Sequence, residues 1–378
     1  MTRTNSSGPT AITKRTFLQT GAAVALSAPF VNRAWADTVE LNMLGWYGTA
    51  EPDMVGAFEE ENNVKFVPKY YAGGDNMLAA LAQNPPGTFD IIHTDAEYAK
   101  LLVANELVEE LNPDDYPMDD LLHEDFSKFP GHWDDDGKLY SLISRFGHLG
   151  VSYNKDALSE VEASSYESFW MPKLKGKVGH FDWHLPSLGQ MSLLEGNASP
   201  FDIDDGAWDK VQARTMSLKP QVGGYFDFGG TFAGLKNGEM LAMCGIGDWV
   251  TGILERDGAP VSSVVPEEGG IQWTESYSIV KTSEKKDMAL KYLAYTMSPE
   301  GQVKTAQMLG YPGHCVTGAG RALLQKEDEA EAKRSGQVKG HKNEPIALID
   351  NGSIHYRDIP VQQDLEDWND FWSEYKNA

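Results

Sequence analysis

The sequence predicts an α/β protein of two lobes, each lobe a mixed, mostly parallel sheet flanked by helices. Three observations carry this. From Val39 onward, short apolar strand-like runs alternate with helix-length amphipathic runs, the rhythm of a parallel sheet covered on both faces. The 378 residues are 41% hydrophobic and 11% aromatic, enough to build cores for two or three domain-sized units. Tyr140 to Tyr153 reads as an extended segment crossing from one lobe to the other, and Val265 to Val280 as the segment that brings the chain back.

Taken in order, Val39 to Trp46 alternates apolar and polar residues and reads as a strand. It runs into Gly45-Trp46-Tyr47-Gly48, aromatic residues wedged between glycines just past a strand end, where open α/β sheets place ligands. Pro52 to Asn62 fits a helix, with Pro52 tolerated in the first turn. Val64 to Tyr71 is a second strand, Asn76 to Gln83 a helix, and Phe89 to Thr94 a short buried strand ending in the polar run His93-Thr94-Asp95. Glu97 to Ala104 is helical. Asn112 to Gly137 is acidic and loop-like; Asp134-Asp135-Asp136-Gly137 lacks the alternating ligands and closing glutamate of a calcium loop and reads as a solvated turn.

The second unit opens with a helix at Tyr166 to Trp170 and a strand at Lys175 to Val178, followed by Phe181-Asp182-Trp183-His184. Gly223 to Gly230 is a glycine-flanked aromatic cluster. Met240 to Ile246 is a buried strand whose end carries Asp248-Trp249. In the returning segment, Gly269-Gly270 breaks the backbone, and strand alternation puts Trp273, Glu275 and Tyr277 on one face. An indole beside a carboxylate suits a cation, because the ring face attracts positive charge and the carboxylate neutralises it. Lys285 to Ser298 and Glu300 to Gln307 are amphipathic helices, followed by Gly310-Tyr311-Pro312-Gly313. Lys326 to Pro345 reads as a solvated helix and loop, and Leu365 to Tyr375 as a closing helix.

The net charge is −24, and residues 1–36 carry four basic side chains and no acid, so the remainder is more acidic still. Such a chain does not seek nucleic acid or an anionic membrane surface. Residues 1–36 read as an export signal: Lys14-Arg15 before an apolar stretch from Gly21 to Val31, then Ala34-Trp35-Ala36 for cleavage near Ala36/Asp37. The pattern is twin-arginine-like, with Lys14 in place of the first arginine. No later run reaches the ~20 apolar residues of a spanning helix, so no membrane insertion is expected. Cys244 and Cys315 are equally compatible with a disulfide and with two buried thiols.

Enzyme signatures are missing: no His-Glu-x-x-His, no phosphate loop, no nucleophile elbow, no complete dinucleotide fingerprint and no zinc spacing among nine histidines. What the residues describe is an exported two-lobed protein with tryptophans, tyrosines and acids recurring at strand ends. That pattern suits capture of a small cation in a cleft better than catalysis.

The chain also resembles the periplasmic solute-binding proteins of polyamine-type ABC importers, the spermidine/putrescine binders within the extracellular solute-binding family. The likeness runs from about Val39 to Tyr375. It is carried by Trp46, Phe89-Asp90-Ile91-Ile92, Tyr140 to Asn154, Phe169-Trp170, Lys175-Gly176, Leu309-Gly310-Tyr311-Pro312 and, most specifically, Pro266-Glu267-Glu268-Gly269-Gly270-Ile271-Gln272-Trp273-Thr274-Glu275-Ser276. The resemblance implies a type II periplasmic-binding-protein fold with crossover hinge strands. Lobe 1 would be residues 37–145 and 277–320, and lobe 2 residues 146–276 and 321–378. The resemblance and the strand-end reading together give an expected ligand site of Trp46 with its neighbour Tyr47, Thr94, Trp183, Asp248, Trp249, Trp273, Glu275 and Tyr311. In this set Trp46 would stack on the ligand, Thr94 would offer a hydroxyl near one end, Trp273 and Tyr311 would form a wall, Glu275 would bind an ammonium, and Asp248 would be a further acid.

Two departures matter. Trp183 and Pro186 stand where the spermidine binders place two acids for the far amine, and Gly245, with Trp249 nearby, stands where they place a wall tryptophan. Fewer acids and more indoles suit a quaternary ammonium, which has no N–H to donate. The expected function is the periplasmic substrate-binding component of an ABC importer. It would be a monomer that captures a polyamine such as putrescine or spermidine and delivers it to the permease, with no cofactor, no metal and no nucleic acid. The alternatives are a choline- or betaine-like onium on the same fold, an exported carbohydrate-active hydrolase with paired acids, and a ferric-ion receptor using tyrosines.

Overall fold

The computed structural model describes residues 38–378; the export segment expected over residues 1–36 lies outside them. Eleven strands follow one another among the described residues: β1 (Val39–Gly45), β2 (Val64–Tyr70), β3 (Ile91–Asp95), β4 (Leu142–Leu149), β5 (Val151–Asn154), β6 (Val178–Phe181), β7 (Val222–Phe226), β8 (Ala242–Cys244), β9 (Val261–Val264), β10 (Gly270–Ile279) and β11 (Ile354–Tyr356). They form two sheets. The first has the order β11-β10-β3-β1-β2, with β4 also paired to β10; the second has the order β7-β6-β8-β5-β9. This is the two-lobed mixed α/β architecture that the alternating pattern predicts.

The first sheet begins as expected. β1 pairs parallel with β2 along its whole length and with β3 on its other side. The helix Pro52–Asn62 returns the chain between β1 and β2, burying Met54, Val55 and Phe58 and ending on Asn63 in the left-handed conformation that asparagine tolerates. Since β1 leads to β2 on one side and β3 lies on the other, the strand ends after Gly45 and Asp95 flank a switch point, the place where open sheets leave a crevice. The second sheet repeats the device. β6 is parallel to both β7 and β8, so the segments after Phe181 and Cys244 flank its switch point.

β10 holds the first sheet together. All ten of its residues are buried. One edge pairs antiparallel with β4, and the other pairs with β11 at its start and β3 at its end. The register against β4 shifts at Glu275/Ser276, and the additional residue, Ser144, belongs to β4. β10 therefore stays in phase.

Elsewhere the structure departs from the expectations. Tyr166–Trp170 is a turn of 3-10 helix, and the strand expected at Lys175 to Val178 begins only at Val178. Several helices carried no recognised signal, among them His184–Leu194, Asp205–Leu218, Phe228–Lys236 and Asp248–Arg256. In the first of these, His184 to Leu193 are all buried, so it lacks the polar face that gives a helix its period. The charged run after Lys326 is less solvated than it reads, because Glu331 and Ala332 are buried and Arg334 forms an ion pair with Asp248. Cys244 and Cys315 are both buried free thiols. No helix of the described residues is long and apolar enough to cross a membrane.

Candidate functional site

The two switch points face one small, tightly packed cavity of about 20 Å³. From the first sheet come Trp46, which follows β1; Trp273 of β10; Tyr311, from the turn after the helix Pro299–Gln307; and Arg357, which follows β11. From the second come Phe181 and Trp183 at the end of β6, Gly245 after β8, Phe228 and Trp249. Leu149, the last residue of β4, completes the wall.

The rings touch in series. Trp46 lies 5.7 Å from Trp183 and 6.3 Å from Tyr311 between ring centroids. Tyr311 in turn lies 4.7 Å from Trp249 and 5.1 Å from Trp273. Small residues make room for them. A Cβ on Gly147 of β4 would come 2.3 Å from the Trp273 ring, and one on Gly45 would come 2.8 Å from the Thr49 hydroxyl as the chain turns toward Trp46.

The charges are paired, and all of them but Arg357 sit behind the rings. Glu275 is fully buried and does not border the cavity. Arg145 of β4 donates its Nε hydrogen to Glu275 Oε2, donates from Nη1 to the Tyr311 carbonyl at 2.6 Å, and stacks 4.5 Å from the Tyr311 ring centroid. Asp95 and Glu97 both accept from Arg357, while Asp95 also accepts from the Trp46 indole at 3.0 Å. The Arg357 guanidinium stacks 4.4 Å from the Trp183 ring centroid. Burial pushes the carboxyls of Asp95, Glu97 and Glu275 up from their ordinary range, and the neighbouring arginines oppose it.

The residues singled out in the sequence thus divide. Trp46, Trp183, Trp249, Trp273 and Tyr311 line one cavity. Thr94 is buried beside them in β3 with a hydroxyl that has no partner among the described residues, and it does not border the cavity. Tyr47 is 44% exposed and packs against Tyr70 and against Phe228, whose ring does line the cavity. Asp248 lies outside it, held by Arg334 at 2.8 Å beside His148 and His314. Sequence reasoning missed Arg145 and Arg357. The signal for Arg145 was a single cation inside the apolar run Leu142 to Leu149, where a charge must find a partner. Among the described residues no group of three or more His, Cys, Asp or Glu side chains is placed to hold a metal.

The chain is 23% identical over 291 residues to the spermidine/putrescine-binding periplasmic protein of Escherichia coli K12, covering 77% of this chain and 81% of that protein. It is 20% identical over 310 residues to a putrescine/agmatine-binding protein of Pseudomonas aeruginosa, covering 76% and 81%. In fold it is similar to the spermidine/putrescine ABC transporter substrate-binding protein PotD of Streptococcus pneumoniae, with a TM-score of 0.69, 16% identity, and coverage of 90% of this chain and 99% of that one. It is also similar to the binding protein MotA of A. tumefaciens B6, crystallised with glucopine, with a TM-score of 0.67, 15% identity, and coverage of 90% and 99%. Residues 53–328 match the sequence model for bacterial extracellular solute-binding proteins. The match spans well over half of the chain, and the chain belongs to the bacterial extracellular solute-binding protein family.

Proposed function

We propose that this protein is the periplasmic substrate-binding component of an ABC importer, and that it captures a small organic cation among the rings of the cavity between its two sheets. The observation that carries this is the cavity wall itself: Trp46, Trp183, Trp249, Trp273 and Tyr311, drawn from both sheets. π faces attract a cation by about 0.5–2 kcal/mol each once water is excluded. In this reading a solute bridges the two sheets and favours the state in which they are close, and the permease recognises that state.

The chain would pass between the two sheets at Gly150, between β4 and β5, and over residues 265–269, between β9 and β10. The backbone is tight at the first, where a Cβ on Gly150 would come 2.1 Å from the Val264 carbonyl oxygen. The lobes expected from the sequence, residues 37–145 with 277–320 and residues 146–276 with 321–378, remain part of this proposal, the first exchange point lying a few residues after the expected boundary and the second about ten residues before it.

Between the two cation classes, the geometry favours a compact onium. An ammonium needs acceptors for its N–H groups, and no carboxylate residue lines the cavity. The polyamine reading is supported instead by the relatives, several of which are named for spermidine or putrescine. Calorimetric titration with choline, glycine betaine, putrescine and spermidine separates the two. The expected result is micromolar or tighter binding, about −8 kcal/mol, for a methylated ammonium, with weaker binding of both polyamines. The reverse order establishes the polyamine reading, and no binding by any of the four counts against a cation site.

A further inference from the structure

Among the residues that line the cavity, one carries a charge, and it is a cation, Arg357. Its guanidinium is fixed in place. Nε donates to Glu97 and Nη2 to Asp95, and the plane stacks on Trp183. Both acids are buried behind it, at 4% and 0% exposure, so they orient the guanidinium without themselves bordering the cavity. Glu275, the acid that the sequence offered for an ammonium, is turned to Arg145.

A held guanidinium is a strong bidentate donor to a planar anion. The wall therefore offers π faces and one guanidinium but no carboxylate. A plain cation satisfies the faces and meets the charge of Arg357. A plain anion satisfies Arg357 and leaves the aromatic faces without a cation.

We infer that the solute is a compact zwitterion, with an onium head seated among the rings and a carboxylate-type anion a few bonds away held by Arg357. This rests on the cation reading of the cavity proposed above and adds a second, anionic contact to it.

The test compares three probes of nearly one shape by calorimetric titration of the full protein: glycine betaine, which carries both charges; choline, which carries only the onium; and the tert-butyl carbon analogue of glycine betaine, which carries only the carboxylate. Glycine betaine is expected to bind at least about tenfold tighter than either, the margin of one charge-assisted contact. Arg357→Lys keeps a positive charge for Asp95 and Glu97 but loses the fork. It is expected to cut the betaine-over-choline margin to below about threefold. The comparison on the unmodified protein decides the matter even where the variant does not fold. Choline binding as tightly as glycine betaine overturns the zwitterion and leaves the cation reading. The carbon analogue binding as tightly as glycine betaine overturns both the cation reading and the zwitterion built on it. No binding by any of the three overturns both as well.

Discussion

Glu275 and Arg145 show how far a single residue can be understood from its neighbours in the chain. Beside Trp273, Glu275 reads as a ligand acid. In the fold it meets an arginine 130 residues away, and both are buried. A buried ion pair adds little net stability, but removing one partner leaves the other charge without its counterion, at a cost of about 3–5 kcal/mol. Glu275→Gln is therefore expected to lower the unfolding free energy in urea by about that amount. Arg145→Met with Glu275→Leu should recover most of the loss. A Glu275→Gln protein as stable as the parent would show that the pair does not hold in solution. The same distance explains what was legible. Trp46, Trp183, Trp249 and Tyr311 announce themselves locally, as aromatics beside glycines or acids past strand ends. Arg357 finds Asp95 across 262 residues, and no spacing rule reaches that far.

At the scale of elements, β1 to β3 and the helices between them were legible because each has its own period and its own stop signal. The second sheet was less so. The glycine-rich β7 looks like a loop, and the helix His184–Leu194 is buried all round. β10 was legible as a strand but not as the hub of a sheet, since pairing on both edges leaves no trace in its sequence. Its packing on β4 carries a prediction. Gly147 lies against the Trp273 indole, and an added Cβ would come within 2.3 Å of that ring. Gly147→Ala must displace the indole or the strand. It is expected to cost about 1–3 kcal/mol of stability by overpacking and to weaken solute binding by about tenfold, which on the binding scale is ~1.4 kcal/mol. Gly176→Ala, at a glycine with no neighbour within 4 Å but with φ of +68°, is the comparison. It should lose some stability and keep its affinity. Equal affinity losses in the two variants would separate Gly147 from the cavity wall.

At the scale of the whole molecule, the buried histidines set the response to pH. Burial holds His132, His180 and His184 near a pKa of about 3 and His314 near about 4, and it pushes His93 and His148 well down. These rings stay neutral in the fold, whereas in the unfolded chain they take up protons below about pH 6.5. The unfolded state therefore binds more protons as pH falls, and stability falls with it. The raised carboxyls of Asp95, Glu97 and Glu275 act in the opposite sense. They keep their protons in the fold to higher pH than in the unfolded chain, so their contribution declines as pH rises above about 4. The six histidines outnumber the three carboxyls between about pH 4.5 and pH 6.5. The unfolding free energy, and with it the urea midpoint, is expected to drop on going from about pH 7 to about pH 5, the free energy by up to ~4 kcal/mol per pH unit for a net three protons. A midpoint that is flat or rises over that interval would show that the rings are not held neutral.

The same scale governs how a solute acts. The cavity takes its walls from both sheets, so a bound solute touches all of them only when the sheets are close. A ligand shifts a conformational equilibrium only by its difference in affinity for the two states. On the proposed function, that difference would come from the ring faces that leave the solute when Trp183 and Trp249 move away from Trp46 and Tyr311. Two or three such faces at about 0.5–2 kcal/mol each convert an even mixture of open and closed forms to one that is mostly closed. In small-angle scattering the radius of gyration should therefore shrink on saturation with whichever solute binds. Trp183→Ala, which removes one ring from the second sheet's side of the cavity, should shrink less at the same saturation. A radius that does not change with bound solute would mean that the cavity is permanently closed, and a different part of the surface would then have to signal occupancy to the permease.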